Sequence, residues 1–66
     1  SLDEVEELLD PKNFYRANRQ TIIHLPFVES YRTDDTGKVS INMRLSKADD
    51  IIISKEKAAE FKKWFE

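Results

Sequence analysis

At 66 residues, with 11 Lys and Arg against 13 Asp and Glu and no cysteine, the chain has room for one domain, 1–66, and a fold of this size buries only about 60% of the surface its unfolded form exposes. Without cysteine, neither a disulfide nor a thiolate metal site can support the fold. No apolar run approaches the roughly 20 residues of a membrane span and the N-terminus is acidic, so a soluble, cytoplasmic segment with no membrane partner is expected.

The first residues predict a helix. Ser1 and Glu4 have the spacing of a capping box, in which hydroxyl and carboxylate each satisfy an orphaned N–H of the first turn. Leu2, Val5, Leu8 and Leu9 then share one helical stripe, giving a helix over about residues 2–9. Pro11 stops it, because the residue before a proline is pushed out of the α region. Phe14 and Tyr15 read as an irregular or partly helical link whose rings join the core.

From Thr21 the texture becomes β-branched and apolar, so Thr21 to Leu25 predicts a strand ended by Pro26. Val28 to Arg32 resumes an extended pattern, and Asp34-Asp35-Thr36-Gly37 is the strong turn signal. Val39, Ile41, Met43 and Leu45 alternate with Ser40, Asn42 and Arg44, a strand with one face buried that completes a hairpin. A polar break at Ser46–Asp49 precedes Ile51-Ile52-Ile53, a short buried strand. Ser54 then caps a final helix in which Ala58, Phe61, Trp64 and Phe65 share a face, with Lys55, Lys57, Glu60, Lys62 and Lys63 outside it. The expected class is α+β: a small antiparallel sheet of three to four strands between an N-terminal and a C-terminal helix.

The net charge of −2 is unevenly spread. Residues 1–10 hold five acids and no base, residues 11–33 hold Lys12, Arg16, Arg19 and Arg32 against Glu29 alone, and residues 34–66 are balanced. Such asymmetry points to an anionic partner for the middle segment, although a merely solvated face would show the same charge.

Catalytic chemistry fails on inventory. His24 is the sole histidine and has no cysteine to partner it, so no metal cluster or Cys-His pair is available. Ser40, Ser46 and Ser54 have no base at a recognisable spacing, and a single glycine excludes Gly-rich phosphate loops. The pairs Asp34-Asp35 and Asp49-Asp50 sit at turns, where Asp is favoured for backbone reasons. A binding module is expected, not an enzyme, and no cofactor.

The informative stretch runs from Asn13 to His24. Arg16, Asn18, Arg19 and Gln20 stand immediately before a strand, where a loop can present long side chains away from a sheet. Arg can bond guanine O6 and N7 together, and Asn or Gln can do the same at adenine, so this cluster suits base edges. Alternatively, Arg16 pairs with the acidic first helix as a surface ion pair worth at most about 1 kcal/mol.

Taken in order, Ser1-Leu2-Asp3-Glu4, Leu9, the F-x-R-x-x-R of Phe14, Arg16 and Arg19, Ile22-Ile23-His24-Leu25, Gly37-Lys38 and the I-I-I-S-K-E-K of residues 51–57 resemble the LytTR family of DNA-binding domains. These are output modules of many bacterial two-component response regulators. The resemblance implies a mostly-β fold that inserts loops into successive major grooves. It implies double-stranded DNA as partner, a homodimer on that DNA and an upstream receiver domain in the parent chain. On this reading the chain is the C-terminal two-thirds of such a domain, its leading strands and first DNA-contacting loop lying before Ser1. Arg19 would reach a base, and Arg16 would contact phosphate or brace the loop. In the third loop, where Ser-Arg-Arg is frequent, this chain has Ser54-Lys55-Glu56. Either Glu56 accepts from a cytosine amino group, or Lys55 takes over the contact, or the site specifies little. Lys55 and Lys57 are expected to act through charge, and His24 stands where the family frequently has Asn. A reading from another class is a protein-interaction or dimerisation module that pairs through an exposed strand edge.

Overall fold

A computed structural model describes residues 1–45 and 50–66, so the polar break expected at Ser46–Asp49 lies outside the described residues. The first helix, α1 (Leu2–Glu7), opens as its capping spacing requires, the Ser1 hydroxyl accepting from the Glu4 N–H at 3.4 Å. It is shorter than the 2–9 expected, because the Leu8 and Leu9 N–H groups bond back only three residues, to the carbonyls of Val5 and Glu6. That tighter spacing is how many helices end. Its apolar stripe finds no core: none of its residues is buried, and Leu8 just beyond it is 86% exposed. Asp10 then redirects the chain by accepting from the Lys12 N–H at 2.9 Å, and Trp64 Nε1 donates to the Pro11 carbonyl at 2.8 Å.

Phe14 and Tyr15, expected in an irregular link, instead open strand β1 (Phe14–Asn18). Tyr15 and Ala17 are buried while Phe14, Arg16 and Asn18 alternate with them. The period of two rests on only two inward residues, and alanine and asparagine are depleted in strands, which hides the pattern. β1 pairs antiparallel with β2 (Thr21–His24), Tyr15 opposite Ile23 and Asn18 opposite Thr21. Pro26 cannot donate to a ladder, so the chain leaves this sheet through a 3-10 turn at Leu25–Phe27.

A second sheet follows: β3 (Val28–Thr33), β4 (Val39–Met43) and β5 (Ile51–Ile53), antiparallel in the order β3-β4-β5. The α+β class with a helix at each end stands as read, but five strands divide over two sheets where three to four in one meander were expected. β4 also stops short of Leu45, which is 82% exposed.

At the β3–β4 turn Gly37 takes φ +92°, the region only glycine occupies without strain. Asp34 Oδ1 accepts from the Thr36 N–H at 2.9 Å, the Thr36 hydroxyl at 2.6 Å and the Lys38 N–H at 3.1 Å. These bonds, the Thr36 hydroxyl first, hold the Asp34 carboxyl below its ordinary value of 3.8. A depressed folded-state pKa means the turn's stabilisation is complete above that ordinary value and is lost as pH falls through the lower, folded one. The Thr36 and Lys38 amide resonances are therefore expected to titrate with a midpoint below the ordinary carboxylate value. A midpoint at or above the ordinary carboxylate value would show that the bonds do not hold in solution.

The last helix, α2 (Lys55–Phe65), packs on β1 and β5. Ser54 has the extended backbone of a cap, φ −61° and ψ 156°, but its hydroxyl bonds no helix N–H, so the expected side-chain cap is not formed. The turn closes through the backbone, Lys57 N–H to Ser54 carbonyl at 3.0 Å. Phe61 is fully buried, with the rings of Tyr15, Tyr31, Trp64 and Phe65 centred 5.3 to 6.0 Å away. Ile23, Val39, Ile41 and Ile53 complete the core from both sheets. Tyr15 Oη donates to Glu60 at 2.6 Å, and burial first, then this carboxylate, push the phenol pKa up.

Candidate nucleic-acid interface

The β1–β2 turn is built so that its backbone is held and one side chain is left over. Asn18 Oδ1 accepts from the Gln20 N–H at 2.9 Å, closing the turn from inside. From below, the Arg16 guanidinium donates through Nε to the Asn18 carbonyl and through Nη2 to the Arg19 carbonyl, both at 2.6 Å. Its Nη1 donates to Asp3 at 2.7 Å and Glu6 at 3.0 Å on α1. The Arg16 side chain is only 15% exposed, and the acids, Asp3 above all, raise its pKa further. Arg16 thus pairs with the acidic helix and at the same time holds the loop backbone, with its donors turned to the protein.

Arg19, at the tip, is exposed, and its guanidinium has no hydrogen bond or ion pair with any described residue. Below it opens a concavity of about 460 Å³ with Arg16, Asn18, Arg19, Lys38 and Lys57 on its walls and Ala17, Ile52 and Ser54 between them; none of these is acidic. The turn after β3 completes the basic surface. A methyl group placed on Gly37 would sit 3.0 Å from Lys55 Cγ, so the Lys55 stem runs directly over that glycine, beside Lys38.

Tertiary structure therefore gathers cations from three distant turns. Asn18 serves the turn geometry with its side-chain carbonyl, and Gln20 is exposed next to Arg19. Glu56 is exposed in the first turn of α2, where an acid suits the helix macrodipole. Lys57 is tied inward: Nζ donates to the Arg16 carbonyl at 2.9 Å and lies 5.3 Å from the centre of the Tyr15 ring. Its charge has a first partner within the domain. His24 stacks on Phe14 at 4.3 Å with a 5° interplanar angle and leans on Phe27, a packing role. Lys38 joins this surface although nothing at the sequence level sets a turn lysine beside Arg19.

A family model described as the LytTr DNA-binding domain matches residues 1–66. The chain belongs to this family. No curated protein and no solved structure gave a match. The chain is thus a DNA-binding domain, and the basic groove, with no acid among the residues that line it, has a chemistry that suits a polyanion. No helix among the described residues of the LytTR domain is long and apolar enough to cross a membrane.

Proposed function

We propose that this domain binds double-stranded DNA sequence-specifically, with the β1–β2 turn in the major groove, Arg19 on base edges, and Lys38 and Lys55 on the phosphate backbone. The observation that carries the reading is the contrast between two arginines three residues apart. Arg16 spends its donors on the protein, whereas Arg19 offers its own to solvent from a turn fixed by three bonds. A side chain held ready at its root loses less freedom on contact, which favours discrimination between bases. Ile52, 46% exposed in the same groove, offers an apolar contact of the kind a thymine methyl takes. Gln20 and Glu56 flank the site as secondary contacts. In the cell the domain acts as the cytoplasmic output module of a transcriptional response regulator, with a receiver domain upstream and two copies on the DNA; the motif resemblance supports this wider role.

Selection from a random duplex library tests the reading: a recovered consensus supports it, and a pool that stays random overturns it. Salt dependence separates the roles. Lys38→Gln and Lys55→Gln are each expected to reduce the slope of log affinity against log salt by about 0.9, the signature of one lost phosphate contact, and to weaken selected and random duplexes alike. An unchanged slope would remove both lysines from the interface. Lys57→Gln is expected to change the slope less, because its ammonium already serves the Arg16 carbonyl.

A second reading has its own observation. Each sheet ends on a strand, β2 or β3, whose outer edge has no partner among the described residues, and such an edge can pair with a second copy. Sizing over a range of concentrations tests it, and a monomer at every dilution counts against it.

A further inference from the structure

We propose that Asp3 and Glu6 of α1 are positioning residues for DNA reading, acting through Arg16 on the turn that carries Arg19. The inference rests on the reading of Arg19 as a base contact. Neither acid lines the basic groove, and by charge alone both should hinder the approach of a polyanion.

The geometry gives them another effect. A guanidinium is planar, with its donors in a rigid fork, so fixing one edge fixes where the other points. Asp3 and Glu6 hold Nη1, and Nε and Nη2 are thereby aimed at the carbonyls of Asn18 and Arg19. The turn needs this strut, since the β1–β2 ladder shifts register between Arg16 and Asn18, where a regular ladder would otherwise hold the strand end. Without the acids, the guanidinium has every reason to leave the two carbonyls for solvent or for a DNA phosphate, and the root of Arg19 loses its support. The acids make no contribution to the core, as no residue of α1 is buried, so their removal leaves the apolar packing intact.

Charge and positioning predict opposite outcomes. Removing two acids near a DNA-binding surface should strengthen binding to any duplex, whereas loosening Arg19 should weaken binding only where a base is read. The experiment compares the full-length protein with its Asp3→Asn/Glu6→Gln variant on two probes: the duplex selected by the wild type and a random-sequence duplex of equal length. The variant's preference for the selected duplex is expected to fall about tenfold, while binding to random duplex is unchanged or tighter. Glu4→Gln/Glu7→Gln removes the same charge from the same helix without touching Arg16, and should leave the preference as it is. Thermal unfolding of each variant reports the fold. Asp3→Asn alone, which keeps Glu6 on Nη1, folds as the wild type and loses about threefold in preference.

Equal preference in wild type and Asp3→Asn/Glu6→Gln overturns the positioning role and leaves the base-reading proposal standing. Equal loss in the Glu4/Glu7 control overturns it as well, by showing a pure charge effect. A wild type with no preference for any duplex overturns the base-reading proposal and this inference together.

Discussion

Replacing Arg19 with alanine costs about 1–3 kcal/mol of affinity at the selected DNA site and distinctly less on random DNA, measured at one fixed salt concentration. The size follows from what is lost, a fork of donors that can bond O6 and N7 of one guanine together. The asymmetry follows from where the side chain stands. The Arg19 side chain makes no bond with the described protein residues, so its removal leaves the turn, still closed by Asn18 and Arg16, in place. Stability should therefore change by no more than about 0.5 kcal/mol, the usual result for a surface site. Equal losses on selected and random DNA would reduce Arg19 to a phosphate contact. Lysine at the same position keeps the charge but not the fork, so Arg19→Lys should recover binding to random DNA and little of the preference.

Phe61→Ala is expected to cost about 3–5 kcal/mol of folding stability, read from urea unfolding. Phe61 has no exposed surface and is the one ring that touches Tyr15 of the first sheet, Tyr31 of the second and the two aromatic neighbours on its own helix. Truncation leaves a cavity where α2 and both sheets converge, and none of these elements can close it without parting from another. At about 0.05–0.15 kcal/mol per residue, a domain of this size holds a total of about 3–10 kcal/mol, so the loss is comparable with the whole. DNA binding should fail with the fold. A loss under about 1 kcal/mol would mean that the two sheets do not depend on α2 for their union.

The path from sequence to site was legible in some places and closed in others for identifiable reasons. Strict alternation from Val39 to Met43 and the lone glycine at the Asp34–Gly37 turn announce β4 and its hairpin, because a one-sided strand and a positive φ each require specific residues. The α2 stripe of Ala58, Phe61, Trp64 and Phe65 announces its own burial in the same way. The α1 stripe of Leu2, Val5, Leu8 and Leu9 shows the same periodicity, yet none of the four is buried. Periodicity reports which face is apolar, not whether anything covers it.

The sequence alone determined the α+β class, the family and the residue types suited to DNA, since each depends on local periodicity, turn chemistry or a linear motif. Tertiary structure decided the division into two sheets, and it decided which of two neighbouring arginines is a strut and which is free. It also set Lys38 beside Arg19 and bound Lys57 to the backbone of β1. The physical reason is common to all of these. They depend on contacts between residues far apart in the chain, and the hydrogen-bond partners of an arginine are chosen by whatever the fold brings within about 3 Å of it.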